Sequence, residues 1–351
     1  MTSAITVDQP VRPGAVRPPM LEVTDLRAYY QTRSFGIERE VRAVDDVSLQ
    51  IAPNEIYGLA GESSCGKTTL IKAIAGVIRP PLNIVGGHVR FHFEGRMLSV
   101  YDSGPAALAA IRWRHLSYIM QASMGVLNPV RRIRRSFVDF AYRHIAKPMP
   151  AFWEIVVGHL ERLHLQAEVL DAYPHELSGG MRQRVTIALA TVCRPEFIIA
   201  DEPTTALDVV VQKGVLAMIR EVQRELGSSL LFVTHDLAVH ANLTDRLGIM
   251  YAGRLVEEGP TADIFREPKH PYTRHLIASL PRIGDEAPKK GLEGAPPNLA
   301  DPPPGCRFHP RCPLAMPVCR EQSPPLVAIR PDRRVACFAV TPETATAATA
   351  S

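Results

Sequence analysis

Alternating, continuous and helically spaced apolar residues follow one another in an order that predicts an α/β chain. Met20-Leu-Glu-Val-Thr-Asp-Leu26 alternates, and so does Val41-Arg-Ala-Val-Asp-Asp-Val-Ser-Leu-Gln-Ile51. Period 2 is the mark of a half-buried strand. Tyr29 and Tyr30 are expected to end the first strand. Ile56-Tyr-Gly-Leu-Ala60 is apolar throughout and reads as a strand buried on both faces. Thr69-Leu-Ile-Lys-Ala-Ile-Ala-Gly76 reads as a helix that stops at its glycine. Gly86 to Gly95 alternates again, so an antiparallel layer is expected in this first part.

Residues 105–120 predict a helix and then the strand Leu116-Ser-Tyr-Ile-Met120. The next stretch is poor in strand signals. Phe137 to His144 and Ala151 to Leu165 have helical spacing, separated by Pro148 and Pro150. We read about 122–178 as a helical subdomain inserted into the α/β core. Its run Arg131-Arg-Ile-Arg-Arg135 is expected to be a solvated helix face. Phe197-Ile-Ile-Ala-Asp201 and Ser228-Ser-Leu-Leu-Phe-Val-Thr234 read as core strands, with an amphipathic helix over Val209 to Leu226 between them. Leu247 to Met250 and Arg254 to Glu258, joined through Ala252-Gly253, predict a hairpin.

At both ends the pattern fades. Proline-rich residues 1–19 and the low-complexity stretch 341–351 are expected to be disordered tails. The main domain is expected over 20–280, a proline-rich linker over 281–305 and a small cysteine-containing extension over 306–340. No internal repeat is evident.

Composition narrows the function classes. Apolar residues make up 46% and charged residues 22%, as in ordinary globular proteins, and the net charge of +4 does not argue for a nucleic-acid partner. No apolar run reaches the ~18 residues of a membrane span, and the first residues lack a signal-peptide core. The expectation is a cytoplasmic chain whose membrane role would come through another subunit.

The candidate chemistry is concentrated in four places. Gly61-Glu-Ser63-Ser64-Cys65-Gly66-Lys67-Thr68 fits G-x-x-x-x-G-K-[ST], between a strand and a helix. Such a loop turns backbone N–H groups and a helix N-terminus toward phosphate oxygens. Lys67 adds a point charge, and the Thr68 hydroxyl suits Mg²⁺. Leu177-Ser178-Gly179-Gly180-Met-Arg-Gln183-Arg184 makes a second anion-friendly helix start. Asp201 and Glu202 close an apolar strand, where Asp201 would hold Mg²⁺ and Glu202 would orient water. His235 follows the strand at 228–234. Separately, Cys306, Cys312, Cys319 and Cys337 crowd near the C-terminus. Their spacing lacks the short knuckles of structural zinc; iron–sulfur ligation tolerates varied spacing, and plain thiols remain open.

Taken in order, these motifs resemble those of the ATP-binding subunits of ABC transporters, over roughly residues 20–280. The resemblance implies an ATPase with a P-loop core, an antiparallel β subdomain and a helical subdomain. It implies that Gly61, Ser63, Ser64, Cys65, Gly66, Lys67, Thr68 and Thr69 hold ATP phosphates, with Tyr30 stacking on the base. Gln121 would be the Q-loop glutamine near Mg²⁺ or the water, Glu202 the catalytic glutamate and His235 the switch histidine. Ser178, Gly179, Gly180, Gln183 and Asp208 would serve nucleotide across a cassette pair.

Asn128-Pro129, Ile199 to Asp208 and His270-Pro-Tyr-Thr273 are similar to the oligopeptide, dipeptide and nickel importers, as is Cys306-Arg-Phe-His-Pro-Arg-Cys312. That subfamily implies a second ATPase subunit, two integral membrane permease subunits, an extracytoplasmic substrate-binding protein and a place at the cytoplasmic membrane face. It also implies a [4Fe–4S] cluster on the four cysteines, with zinc as the alternative. The expected cargo is peptide, with oligosaccharides or nickel complexes as alternatives, and a soluble ABC ATPase as a more distant one. The sequence departs from the family pattern in two places. The Gln121 segment lacks the usual aspartate, and Ser64 occupies a position where glycine is usual.

Overall fold

The computed structural model describes residues 18–34, 37–120, 125–205, 208–280 and 292–340. Gln121, Ala206, Leu207, the tail segments 1–17 and 341–351, and linker residues 281–291 lie outside the described residues. The strands in chain order are β1 (Leu21–Ser34), β2 (Ile37–Ile51), β3 (Ile56–Ala60), β4 (Leu82–Phe93), β5 (Arg96–Ser99), β6 (Leu116–Ile119), β7 (Phe197–Asp201), β8 (Ser229–Val233), β9 (Arg246–Tyr251), β10 (Arg254–Pro260), β11 (Val327–Arg330) and β12 (Arg333–Val335). The α-helices are α1 (Lys67–Ile74), α2 (Pro105–Ile111), α3 (Ile133–Phe137), α4 (Arg143–Ile145), α5 (Met149–Arg162), α6 (Gly179–Thr191), α7 (Val209–Leu226), α8 (Leu237–Leu243), α9 (Thr261–Arg266), α10 (Pro271–Ala278) and α11 (Pro317–Glu321).

The chain divides into two compact units, the first containing Gln50–Glu55 and Arg90–Phe232, the second Glu22–Leu49, Ile56–Val89 and the chain from Val233 onward. In the first unit β7 lies between β8 and β6. β6 runs parallel to β7, with Leu116 opposite Phe197 and Ile119 opposite Ala200. All five residues of β7 are buried, which explains the unbroken apolar run that ends in Asp201. α5 places Phe152, Val156 and Leu160 in the core, and α6 buries an almost continuous stretch from Val185 to Ala190. The expected helix over Phe137 to His144 is instead α3, a wider π turn at Val138–Tyr142, and α4. The arginines ahead of it are exposed and pair with acids, Arg131 and Arg135 with Asp139 at 3.0 and 3.1 Å, and Arg134 with Asp171 at 3.0 Å.

The second unit has one layer ordered β2-β1-β4 and another ordered β11-β12-β10-β9-β3. β1 does not stop at the tyrosines but continues to Ser34 beside β2. β4 also starts earlier than the glycines suggest, at Leu82. Gly87 lies inside it because a Cβ there would meet the Asp25 carbonyl oxygen at 2.4 Å; a glycine in a strand here marks close backbone approach. β3 pairs parallel with β9 and is buried throughout. The expected hairpin is β9–β10. A core of Leu247, Ile249, Tyr251, Val256, Tyr272 and Phe308 gathers around it.

Sequence reasoning missed that the C-terminal extension adds strands to this hairpin. β12 pairs with β10, Glu257 opposite Val335, and β11 pairs with β12. Both strands are short, and β12 is Arg-Arg-Val, so no apolar alternation announces them. The arginines of β12, with Arg246 of β9, neutralise two fully buried acids. Glu257 binds Arg333 at 2.6 Å, and Glu258 accepts from Tyr57, Arg246 and Arg334. Each acid keeps several donors, as buried charge requires.

Candidate functional site

The phosphate-loop sequence folds as a closed turn between β3 and α1. Gly66 precedes α1 with φ 108°, and a Cβ there would lie 2.0 Å from the Ala43 carbonyl oxygen. Only glycine fits that crossing. Ser64 has φ 64°, so the serine does take up the left-handed backbone that glycine would occupy without cost. Ser63, Ser64 and Thr68 are exposed, whereas Cys65, Lys67 and Thr69 are buried. The Lys67 ammonium is folded back on its own loop. It donates to the Gly61 carbonyl at 2.7 Å and the Glu62 carbonyl at 3.0 Å, and lies 3.7 Å from the Cys65 sulfur. Burial pushes the Cys65 thiol up, more than Lys67 beside it pulls it down.

The two tyrosines of β1 take different partners. The Tyr29 hydroxyl donates to Asp45 at 2.5 Å, and burial together with that carboxylate raises its pKa to about 12. Tyr30 is half-buried and bonded to the Thr69 hydroxyl at 3.2 Å, one residue beyond Thr68. His235, in the second unit, is exposed just after β8. Asp236 next to it caps α8 by accepting from the Ala238 N–H at 2.9 Å.

The remaining candidates lie in the first unit. Asp201 is 3% exposed at the end of β7 and accepts from the Tyr118 hydroxyl at 3.2 Å. Glu202 follows with φ 47° and accepts from the Thr205 hydroxyl at 2.9 Å. A non-glycine residue in that region is held there by its surroundings, here the Glu202–Thr205 turn, in which Thr205 N–H also donates to the Glu202 carbonyl. Ser178 is the N-cap of α6, its hydroxyl accepting from the Met181 N–H at 3.2 Å. Gly179 and Gly180 are half-buried, and Gln183 is buried in the same helix. A Cβ on Gly180 would meet Val211 at 2.9 Å. Asp208 is exposed and accepts from the Val211 N–H at 3.0 Å.

The cysteine expectation requires correction. Cys306, Cys312, Cys319 and Cys337 line one small apolar pocket. Among the described residues, however, the one group of three or more potential ligand atoms within 4.8 Å of one another is Glu94, His115 and Glu196. The four sulfurs therefore have no cluster-like arrangement, and neither an iron–sulfur cluster nor zinc is supported. What the extension does contribute to the site was invisible in sequence. Arg311 reaches the Glu62 carboxylate of the Gly61–Thr68 loop at 2.9 Å. Beside it, from α10 rather than the extension, the Tyr272 hydroxyl accepts from the Glu62 N–H at 2.8 Å.

Comparison with known proteins gives the same picture. Residues 44–205 match the family model described as ABC transporter, and 256–319 match that of the oligopeptide/dipeptide transporter C-terminal region. The chain is 38% identical to a dipeptide transport ATP-binding protein of Caldanaerobacter subterraneus, over 91% of this chain and 96% of that one. It is 38% identical to the oligopeptide transport ATP-binding protein of Salmonella typhimurium, over 96% and 98%. Among solved structures it is similar in fold to a dimeric ATP-binding cassette bound to ADP and Pi, at 23% identity and a TM-score of 0.58 over 69% of this chain and 99% of that one. It also resembles cbiO1 from Clostridium perfringens, at 23% identity and a TM-score of 0.58 over 72% and 92%.

Proposed function

This chain belongs to the ATP-binding subunits of ABC transporters, and on that premise we propose that it powers the import of peptides or similar small solutes. It is an ATPase coupled to transmembrane transport. The names of its relatives and the match over 256–319 support the peptide class. Among the described residues no helix is long and apolar enough to cross a membrane. The cargo path therefore falls to partners: two integral permease subunits, an extracytoplasmic substrate-binding protein, and a second ATPase chain at the cytoplasmic face.

The observation that carries the nucleotide reading is the loop at Gly61–Thr68, with a buried lysine that donates to the loop's own Gly61 and Glu62 carbonyls. A cation held by weak neutral acceptors can transfer to phosphate oxygens at little cost. In this reading the backbone N–H groups of Ser63, Ser64, Cys65 and Gly66 line the phosphates, and Tyr30 stacks on the base. Thr68 and Asp201 offer the hard oxygen donors that would hold Mg²⁺, which neutralises phosphate charge when bound. Glu202 orients the attacking water, and His235 and Gln121 hold the transition-state geometry. Ser178, Gly179 and Gly180, with Gln183 and Asp208 behind them, serve the partner cassette's nucleotide.

The test is Glu202→Gln in the assembled transporter. The variant should bind ATP with wild-type affinity and hydrolyse it at least about 100-fold more slowly. Wild-type turnover would remove Glu202 from the chemistry. Permease subunits should co-purify with the chain from detergent-solubilised membranes; recovery of ribosomes or DNA in their place would reject the transporter reading.

A further inference from the structure

Glu62 is the second residue of the phosphate loop, and none of the roles above uses its side chain. A free carboxylate in a loop that receives polyphosphate would repel it. Here both carboxylate oxygens are taken by one guanidinium. Arg311 Nη1 donates to Glu62 Oε2 at 2.9 Å and Nη2 donates to Oε1 at 3.1 Å, a bidentate pair.

Arg311 is itself fixed from several directions. Its side chain is 7% exposed. Nη1 also donates to the Tyr251 hydroxyl at 3.2 Å, Nε donates to the Glu293 carbonyl at 3.1 Å, and the guanidinium lies over the Tyr251 ring at 5.9 Å. The backbone of Glu62 is held as well, through its N–H to Tyr272 and its carbonyl to Lys67. The side-chain partner of this loop residue is thus 249 positions away, in the C-terminal extension.

We propose that Arg311 is a positioning residue of the nucleotide site: it neutralises and pins Glu62, so that the loop accepts a polyphosphate only while the C-terminal extension is docked. The proposal rests on the reading of Gly61–Thr68 as the phosphate-binding loop. It gives the extension a role that needs no metal. Binding linkage is reciprocal, so nucleotide should also tighten the extension around residues 306–337.

The test uses the full-length chain and Mg²⁺ with a fluorescent ATP analogue. Arg311→Met, which keeps the bulk and loses the charge, should weaken binding about tenfold. The double variant Glu62→Gln/Arg311→Met should recover to within about threefold of wild type, because no uncompensated carboxylate remains. A merely structural arginine would not be rescued by removing its partner's charge. Arg311→Lys keeps the charge and loses the bidentate fork, so it should bind more tightly than Arg311→Met and less tightly than wild type, and it carries the test if the methionine variant does not fold. In hydrogen exchange, nucleotide should slow amides of the extension in wild type and not in Arg311→Met.

Wild-type affinity in Arg311→Met overturns the proposal. So does a double variant as weak as the single one, or a lysine variant that binds no more tightly than the methionine variant. Lys67→Ala distinguishes the premise: unchanged ATP affinity in that variant rejects the phosphate-loop reading itself, whatever Arg311 does.

Discussion

The Lys67 ammonium donates to the Gly61 carbonyl at 2.7 Å, closing the Gly61–Thr68 loop on its own first residue. The side chain is thereby stored inside the loop, 8% exposed. Removing it takes away the charge for phosphate and the internal tie together. Lys67→Met should lower ATP affinity by roughly 100-fold, from the loss of charge-assisted bonds of about 1.5–3 kcal/mol each. Equilibrium titration with a fluorescent nucleotide measures it; a loss below threefold would reject the reading of this loop as the phosphate-binding one.

Ser64 holds φ 64° at the exposed crest of the same loop. The left-handed region costs an L-residue about 1–2 kcal/mol, and glycine's extra chain entropy costs roughly 0.5–1 kcal/mol. Ser64→Gly should therefore stabilise the protein by about 0.5 kcal/mol, and Ser64→Val should destabilise it by more than 1 kcal/mol. Urea unfolding of the two variants reads both signs. A destabilised glycine variant would show that the serine hydroxyl, not the backbone, matters.

Asp45 joins β2 to the extension. It pairs with Arg307, whose side chain is 6% exposed, and with Arg254 at 3.1 Å. Burial pushes the Asp45 carboxyl up, but Tyr29, Arg307 and Arg254 outweigh it and hold it below its ordinary value. A carboxylate depressed on folding stabilises above its unfolded pKa, near 3.8, and that contribution is lost as pH falls through the folded value. Asp45→Asn should cost about 3 kcal/mol at pH 7, because Arg307 is left buried without its counter-charge. The deficit should shrink at the acid end of a pH series of urea unfolding curves; a deficit independent of pH would assign the effect to packing.

Three buried histidines set a second pH dependence. Burial lowers His159 to about 4, His240 to about 4 and His270 to about 3. Their depressed values mean that stability is complete above the unfolded pKa of 6.5 and falls as pH drops below it. Each contributes a slope of about 1.4 kcal/mol per pH unit below that point. His159 is bonded to Thr191 at 2.8 Å, so His159→Gln can keep a polar partner. That variant should lose less stability than wild type between pH 6.5 and 5, by about 2 kcal/mol. Parallel pH profiles would mean that His159 is protonated in the folded state.

The local elements and the chemistry they carry were legible in the order of the amino acids. Apolar runs were enough for β3, β7 and β8, because strands buried on both faces leave no polar position to confuse the pattern. The glycine pattern was enough for the loop and for α6 beyond Ser178, since positive φ and N-caps are one-residue requirements. Order of motifs was enough for the family. The cysteine spacing misled, because a metal centre depends on where the sulfurs meet in space, and spacing along a chain does not fix that. The packed fold was needed to give Tyr29 to Asp45 and Tyr30 to Thr69. It alone decided that Glu257 and Glu258 are buried against arginines of the extension, and that Arg311 closes on Glu62. Those partners lie tens to hundreds of residues apart, and ion pairs leave no periodicity in sequence. Their pairing exists only once the backbone has brought the extension onto the sheet that carries the loop.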